Sequence, residues 1–116
     1  MSTTYQEENL PSAAKEFHRV IASAIEELEA VDWYHQRAAV TGDSEAKAIF
    51  EHNRDEEIEH FAMSLEWLRR NHEPFDEALK AFLFSKGEIT SAEAAFTSGE
   101  GSGSAIGALS IGSLKK

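Results

Sequence analysis

The sequence predicts an all-α chain: an antiparallel two-helix hairpin followed by a short C-terminal helix. Three observations predict it. Two segments, each roughly 28 residues long, run uninterrupted between clear breakers. Both carry apolar residues at the helical period. No alternating strand pattern occurs along the chain.

The first helix opens at Pro11 and Ser12 and runs to about Ala39, with Phe17, Val20, Ile21, Ala24, Ile25, Leu28 and Val31 as its apolar stripe. Thr41, Gly42 and Asp43 form a tight turn in which Asp43 is a good N-cap and Glu45 falls in the next first turn. The second helix runs to about Asn71 before Pro74 stops it; Ala46, Ile49, Phe50, Phe61, Trp67 and Leu68 mark its stripe. Each helix is about 42 Å long. Two helices alone leave their stripes uncovered, so packing favours a two-fold dimer that closes a four-helix bundle.

A shorter helix is expected from Pro74 to Phe84, with Phe75, Ala78, Leu79, Phe82 and Leu83 on one side and Gly87 beyond its end. Thr90 and Glu93 read as a capping box that starts another turn or two. The 116 residues suffice for one small domain, placed at residues 1–96. From residue 97 the composition changes: twelve of the last 20 residues are Gly, Ser or Ala. That is linker composition and predicts a flexible tail. Near its end Leu109, Ile111 and Leu114 reappear as large aliphatics around Gly112, a pattern suited to a short docking peptide.

Composition narrows the chemistry. Eleven Lys and Arg against 21 Asp and Glu give a net charge of −10, which disfavours nucleic acids and anionic membranes and favours cations. The absence of Cys excludes disulfides, thiolate zinc sites, iron–sulfur clusters and cysteine nucleophiles. Neither a signal peptide nor a membrane span is visible, so a cytoplasmic protein is expected. The acids are also clustered. Glu26, Glu27, Glu29, Asp32, Asp55, Glu56, Glu57 and Glu59 place eight of the 21 within 12 positions.

Helical projection separates these carboxylates. Glu27 sits on the shoulder of the first stripe, whereas Glu26 and Glu29 point to the polar face. On the second helix Asn53, Glu57, His60 and Ser64 form a polar ladder along the middle of the apolar stripe. A carboxylate buried there costs several kcal/mol unless it is paired, hydrogen-bonded or metal-bound. Glu27 lies 15 residues before Gly42 and Glu57 lies 15 after it, so the two are expected at one height, with His60 a turn beyond.

Glu-x-x-His alone is common in acidic helices, where it reads as a solvated ion pair. Its place in the stripe, opposite a height-matched Glu, makes it half of a di-metal site. A two-fold dimer completes four carboxylates and two imidazoles, a donor set suited to iron or manganese. Tyr34 reads as a core residue within reach of a site carboxylate. His35 reads as an interface or core residue, His18, His52 and His72 as surface residues, and Trp33 and Trp67 as packing anchors. Asp32 has no assigned role.

These residues carry a family resemblance. EELEAVDWY at 26–34, HNRDEEIEH at 52–60 and EWLRR at 66–70 resemble the encapsulated ferritins, the ferritin-like cargo proteins of encapsulin nanocompartments. The resemblance implies a ferroxidase that oxidises Fe²⁺ to Fe³⁺ with dioxygen. Its di-iron centre would lie between two chains, with ligands Glu27, Glu57 and His60 and two irons per dimer interface. It further implies a secondary metal site at Glu26 and Glu29, a tyrosine beside the centre at Tyr34, and a ring of five dimers. The tail residues Leu109, Ile111, Gly112 and Leu114 look like the family's encapsulation peptide, which would place the protein inside a shell that stores the iron. Two other readings stand beside it: a non-catalytic scaffold or adaptor dimer, and a different di-metal oxidoreductase on the same bundle.

Overall fold

The computed structural model describes residues 5–98, and these are all-helical, with no strand among them. The helices are α1, Ser12–Val40; α2, Ser44–Asn71; α3, Glu73–Phe82; and α4, Ile89–Thr97. The tail residues Leu109, Ile111, Gly112 and Leu114 lie outside the described residues. A first compact unit ends at Leu68 and a second begins at Arg69.

In the first unit, α1 and α2 meet on either side of the turn at 41–43. Thr41 N–H closes α1 on the Arg37 carbonyl, and the Asp43 carboxylate accepts the Ala46 N–H at 2.8 Å. Asp43 is therefore the N-cap of α2, as its type and place imply. Cross-helix contacts fix the antiparallel pairing: Tyr34 faces Phe50 with ring centroids 6.5 Å apart, and Arg54 donates to His35 Nδ1 at 3.2 Å. Farther from the turn, Ser64 donates to the Glu27 carboxylate at 2.9 Å.

The apolar stripes are only partly covered. Among the described residues the buried hydrophobics are Ala24, Ala38 and Leu68. Ile25 and Leu28 of α1 and Ile49 of α2, all expected on covered stripes, are exposed, as are Trp33, Ile58 and Met63. The reason is geometric. An apolar stripe spans more than about 100° of a helix, and one neighbouring helix covers only its centre. Trp33 is thus no packing anchor within one chain.

In the second unit, α3 carries Pro74 in its first turn, where its missing N–H costs nothing. Glu73 and Asp76 in that turn and Lys80 in the last complement the helix dipole. Phe82 packs on Phe96 of α4 with centroids 5.6 Å apart. Here the structure differs from expectation in three places. α3 stops at Phe82, because Leu83 turns extended (φ −70°, ψ 138°) and Phe84 after it is left-handed (φ 61°). α4 starts at Ile89 with Glu88 as its N-cap residue, so Thr90 lies inside the helix and the Thr90–Glu93 box does not form. Instead Ser91 donates to the Glu88 carboxylate at 3.2 Å. His72, expected at the surface, is half-buried against Phe75 at 5.6 Å, and Gly87 takes the left-handed conformation that the loop requires (φ 80°).

Asp76 ties this unit's start together, accepting from the Arg69 guanidinium and from Lys80 at 3.1 Å. Burial pushes its carboxyl up, but the hydrogen bonds and charges of Lys80 and Arg69 outweigh that and hold it below the ordinary value. A depressed folded-state pKa contributes stability that is present above the unfolded value and lost as pH falls through the folded one. Asp76→Asn should therefore cost about 0.5–1 kcal/mol at neutral pH. In denaturant titrations of the two proteins the gap should close as pH falls below about 4.

Candidate metal site

Two cross-helix hydrogen bonds define the two flanks of the α1–α2 hairpin. Glu27 and Ser64 meet on one flank, His35 and Arg54 on the other. Glu57 and His60 precede Ser64 by seven and four residues, so the three stack on one side of α2. Glu27, Glu57 and His60 thus share a flank. Leu28, seven residues before His35, and Ile58, four after Arg54, fall on the opposite one.

On the shared flank the His60 Nδ1 lies 3.4 Å from the Glu57 carboxylate. That is the outer limit of a hydrogen bond, so neither group is firmly held by the other. The Glu57 side chain is 28% exposed and that of His60 48% exposed. Glu27 is half-buried and bound to Ser64.

Helix geometry explains why Glu27 reaches Ser64 and not Glu57. Side chains lean towards the N-terminus of their helix. Those of α1 therefore lean away from the turn and those of α2 towards it, so an α1 side chain meets one farther along α2. Ser64 lies 22 residues past Gly42, whereas Glu27 lies 15 before it. Among the described residues of a single chain, no group of three or more acidic, His or Cys side chains is arranged to hold a metal. One chain brings together Glu57 and His60; Glu27 joins them in flank only.

The other residues singled out in the sequence occupy distinct places. Glu26 is exposed and Glu29 half-buried, three residues apart on α1. Tyr34 is half-buried between Phe50 and the Arg37 guanidinium, 5.3 Å from its ring. His35 is exposed and accepts from Arg54, which also bonds Asp55 at 3.0 Å. Asp32 is exposed. His52 pairs with Glu56 one turn on, at 3.3 Å on the surface, while His18 is half-buried under Tyr5 at 4.8 Å.

Two partners escaped the sequence reading. Ser64 was visible as a rung of the polar ladder, yet its bond to Glu27 depends on side-chain lean that a count of heights from the turn ignores. Arg54 gave no signal, since a base among acids reads as solvated surface.

Donor chemistry fits a hard cation: carboxylate oxygens with one imidazole, and no thiolate in the sequence. No described helix is long and apolar enough to cross a membrane.

Comparison with known proteins identifies the family. The profile of the EncFtn-like family matches residues 2–86. An encapsulated ferritin-like protein of Rhodospirillum rubrum is 55% identical over 107 residues, which cover 84% of this chain and 76% of that protein. A ferritin-like protein of Thermotoga maritima is 50% identical over 95 residues, covering 80% of this chain and 83% of that protein. Among solved structures, protein ne0167 of Nitrosomonas europaea superimposes with a TM-score of 0.71 at 50% identity, covering 73% of this chain and 96% of that one.

Proposed function

Because the chain belongs to the EncFtn-like family of encapsulated ferritin-like proteins, we propose that it is a ferroxidase that oxidises Fe²⁺ to Fe³⁺ at a site shared by two chains. The observation that carries this reading is the half-complete ligand set on one flank of the hairpin. Glu57 and His60 stand side by side and half-exposed, with Glu27 on the same flank. A second copy related by a two-fold axis doubles that set to four carboxylates and two imidazoles. It also covers apolar surface that one hairpin leaves open.

In this reading iron is the substrate, and the protein's part is to bind, orient and electrostatically bias it. Glu26 and Glu29 raise the local concentration of Fe²⁺ outside the site. Glu27 and Glu57 then supply negative charge that favours Fe³⁺ over Fe²⁺, while His60 adds a nitrogen donor. Ser64 keeps the Glu27 carboxylate aimed along the flank before metal arrives, and Tyr34 lines the same side. Two Fe²⁺ release two electrons, which dioxygen accepts with two protons to give peroxide; four release the electrons that carry it to water.

The helical body, residues 1–96, is the catalytic part of this proposal. The tail from residue 97 is its address, docking the protein through Leu109, Ile111, Gly112 and Leu114 inside an encapsulin shell in the cytoplasm. A ring of five dimers delivers iron there, and the shell stores it. A non-catalytic adaptor dimer would use the same exposed hydrophobics but gives Glu57 and His60 no task.

Aerobic addition of Fe²⁺, followed by ferric absorbance, tests the chemistry. Glu27→Ala, Glu57→Ala and His60→Ala should each slow oxidation by at least roughly 100-fold, and Ser64→Ala, one step removed, by about 10-fold. Wild-type rates in all three ligand variants would exclude the ferroxidase reading. The address is tested separately, by removing residues 109–116 and co-expressing the chain with a shell protein. Co-purification should be lost while iron oxidation persists; undiminished recovery would remove the tail's proposed role.

A further inference from the structure

The turn that joins α3 to α4 carries an unusual cost. Ser85 N–H bonds the Phe82 carbonyl at 3.3 Å, closing a four-residue turn with Leu83 and Phe84 at its centre. Leu83 has φ −70° and ψ 138°, and Phe84 has φ 61°. That is type II geometry, whose second central position favours Gly or Asn. A bulky side chain there strains the backbone, and such strain points to a function beyond the local fold.

Phe84 gains nothing locally in return, since it is 99% exposed. Leu83 beside it is 47% exposed, and Ile89, at the first position of α4, is 69% exposed. Three large apolar side chains therefore crowd one short connection. Gly at position 84 would suit both the turn and the solvent better.

We propose that Leu83, Phe84 and Ile89 form a seat for the apolar end of this chain's own tail, residues 109–114. Placement and length select this occupant. The Phe82–Phe96 contact, 5.6 Å between centroids, brings the end of α4 beside the start of the turn. The described chain stops two residues after Phe96, at Ser98. From there, ten residues rich in Gly, Ser and Ala lead to Leu109.

A chain of that composition spans about 17 Å on average, and up to about 35 Å when extended. Residues 109–114 are thus tethered well within reach of the turn. A tether of this length gives an effective concentration in the millimolar range, so even weak apolar contacts are populated. Leu109, Ile111 and Leu114 match the seat in kind: three aliphatics against two aliphatics and a ring. A partner that takes the same segment, such as the shell proposed above, competes with the seat. The seat itself does not depend on the ferroxidase reading.

Hydrogen–deuterium exchange on the full chain tests it, read at residues 107–116 in wild type and in Phe84→Gly. The variant relieves the turn, so the helices persist. Wild type should exchange several-fold more slowly in this segment than Phe84→Gly. Replacing Leu109, Ile111 and Leu114 by Ser should reciprocally speed exchange at residues 83–90. Both effects should hold over a tenfold range of protein concentration, with unchanged mass by light scattering. Equal exchange in wild type and Phe84→Gly would overturn the proposal. So would protection that rises with concentration alongside a fall in mass for Phe84→Gly, which would make the turn a contact between copies.

Discussion

The structure depends on one constraint: polar ligand-type side chains occupy a helix surface that a single hairpin cannot cover. Glu57 and His60 stand on α2 beside positions that pack against α1, yet both remain partly exposed. Leaving them in water is cheap for one chain. Burying them under a second chain would be expensive unless something compensates the carboxylates, and a cation shared across the interface does so. On this account association and metal binding are one event, because each removes the other's cost.

The same constraint explains the thin core. Ala24, Ala38 and Leu68 are buried, whereas Ile25, Leu28, Ile49, Ile58 and Met63 are exposed. The Tyr34–Phe50 ring pair spans the two helices, and several large aliphatics stay uncovered. The flank with Leu28 and Ile58 also carries the His35–Arg54 pair, and the flank with Glu27, Glu57 and His60 carries the candidate donors. Such a hairpin leaves large apolar side chains uncovered. The local electrostatics serve this economy. Ser64 satisfies Glu27 at 2.9 Å in the single chain with a neutral hydroxyl, a partner that a metal ion can outbid.

Much of this was legible in the sequence because it rests on period and punctuation. Helix α2 and its cap at Asp43, the turn at 41–43 and the Glu57–His60 pair follow from residue type and spacing. Register was harder. Counting equal heights from Gly42 pairs Glu27 with Glu57, but the lean of side chains towards each helix's N-terminus carries Glu27 to Ser64. Stripe residues were legible as apolar, though not as covered or bare, since coverage depends on how many helices surround them. The end of α3 was missed because Leu83 and Phe84 carry no sign that they will turn extended and left-handed, and Thr90 offered capping chemistry that Glu88 pre-empts. The role of the tail lies in chemistry outside the described helices.

The central claim, that two chains share one metal site, is tested most directly by native mass spectrometry of the full chain without oxygen, with and without Fe²⁺. The account predicts assemblies of even chain number that hold two irons per pair of chains, and loss of both the iron and the metal-dependent pairing in Glu57→Ala. Iron bound at full affinity by a single chain, or pairing and iron content unchanged in Glu57→Ala, would contradict it.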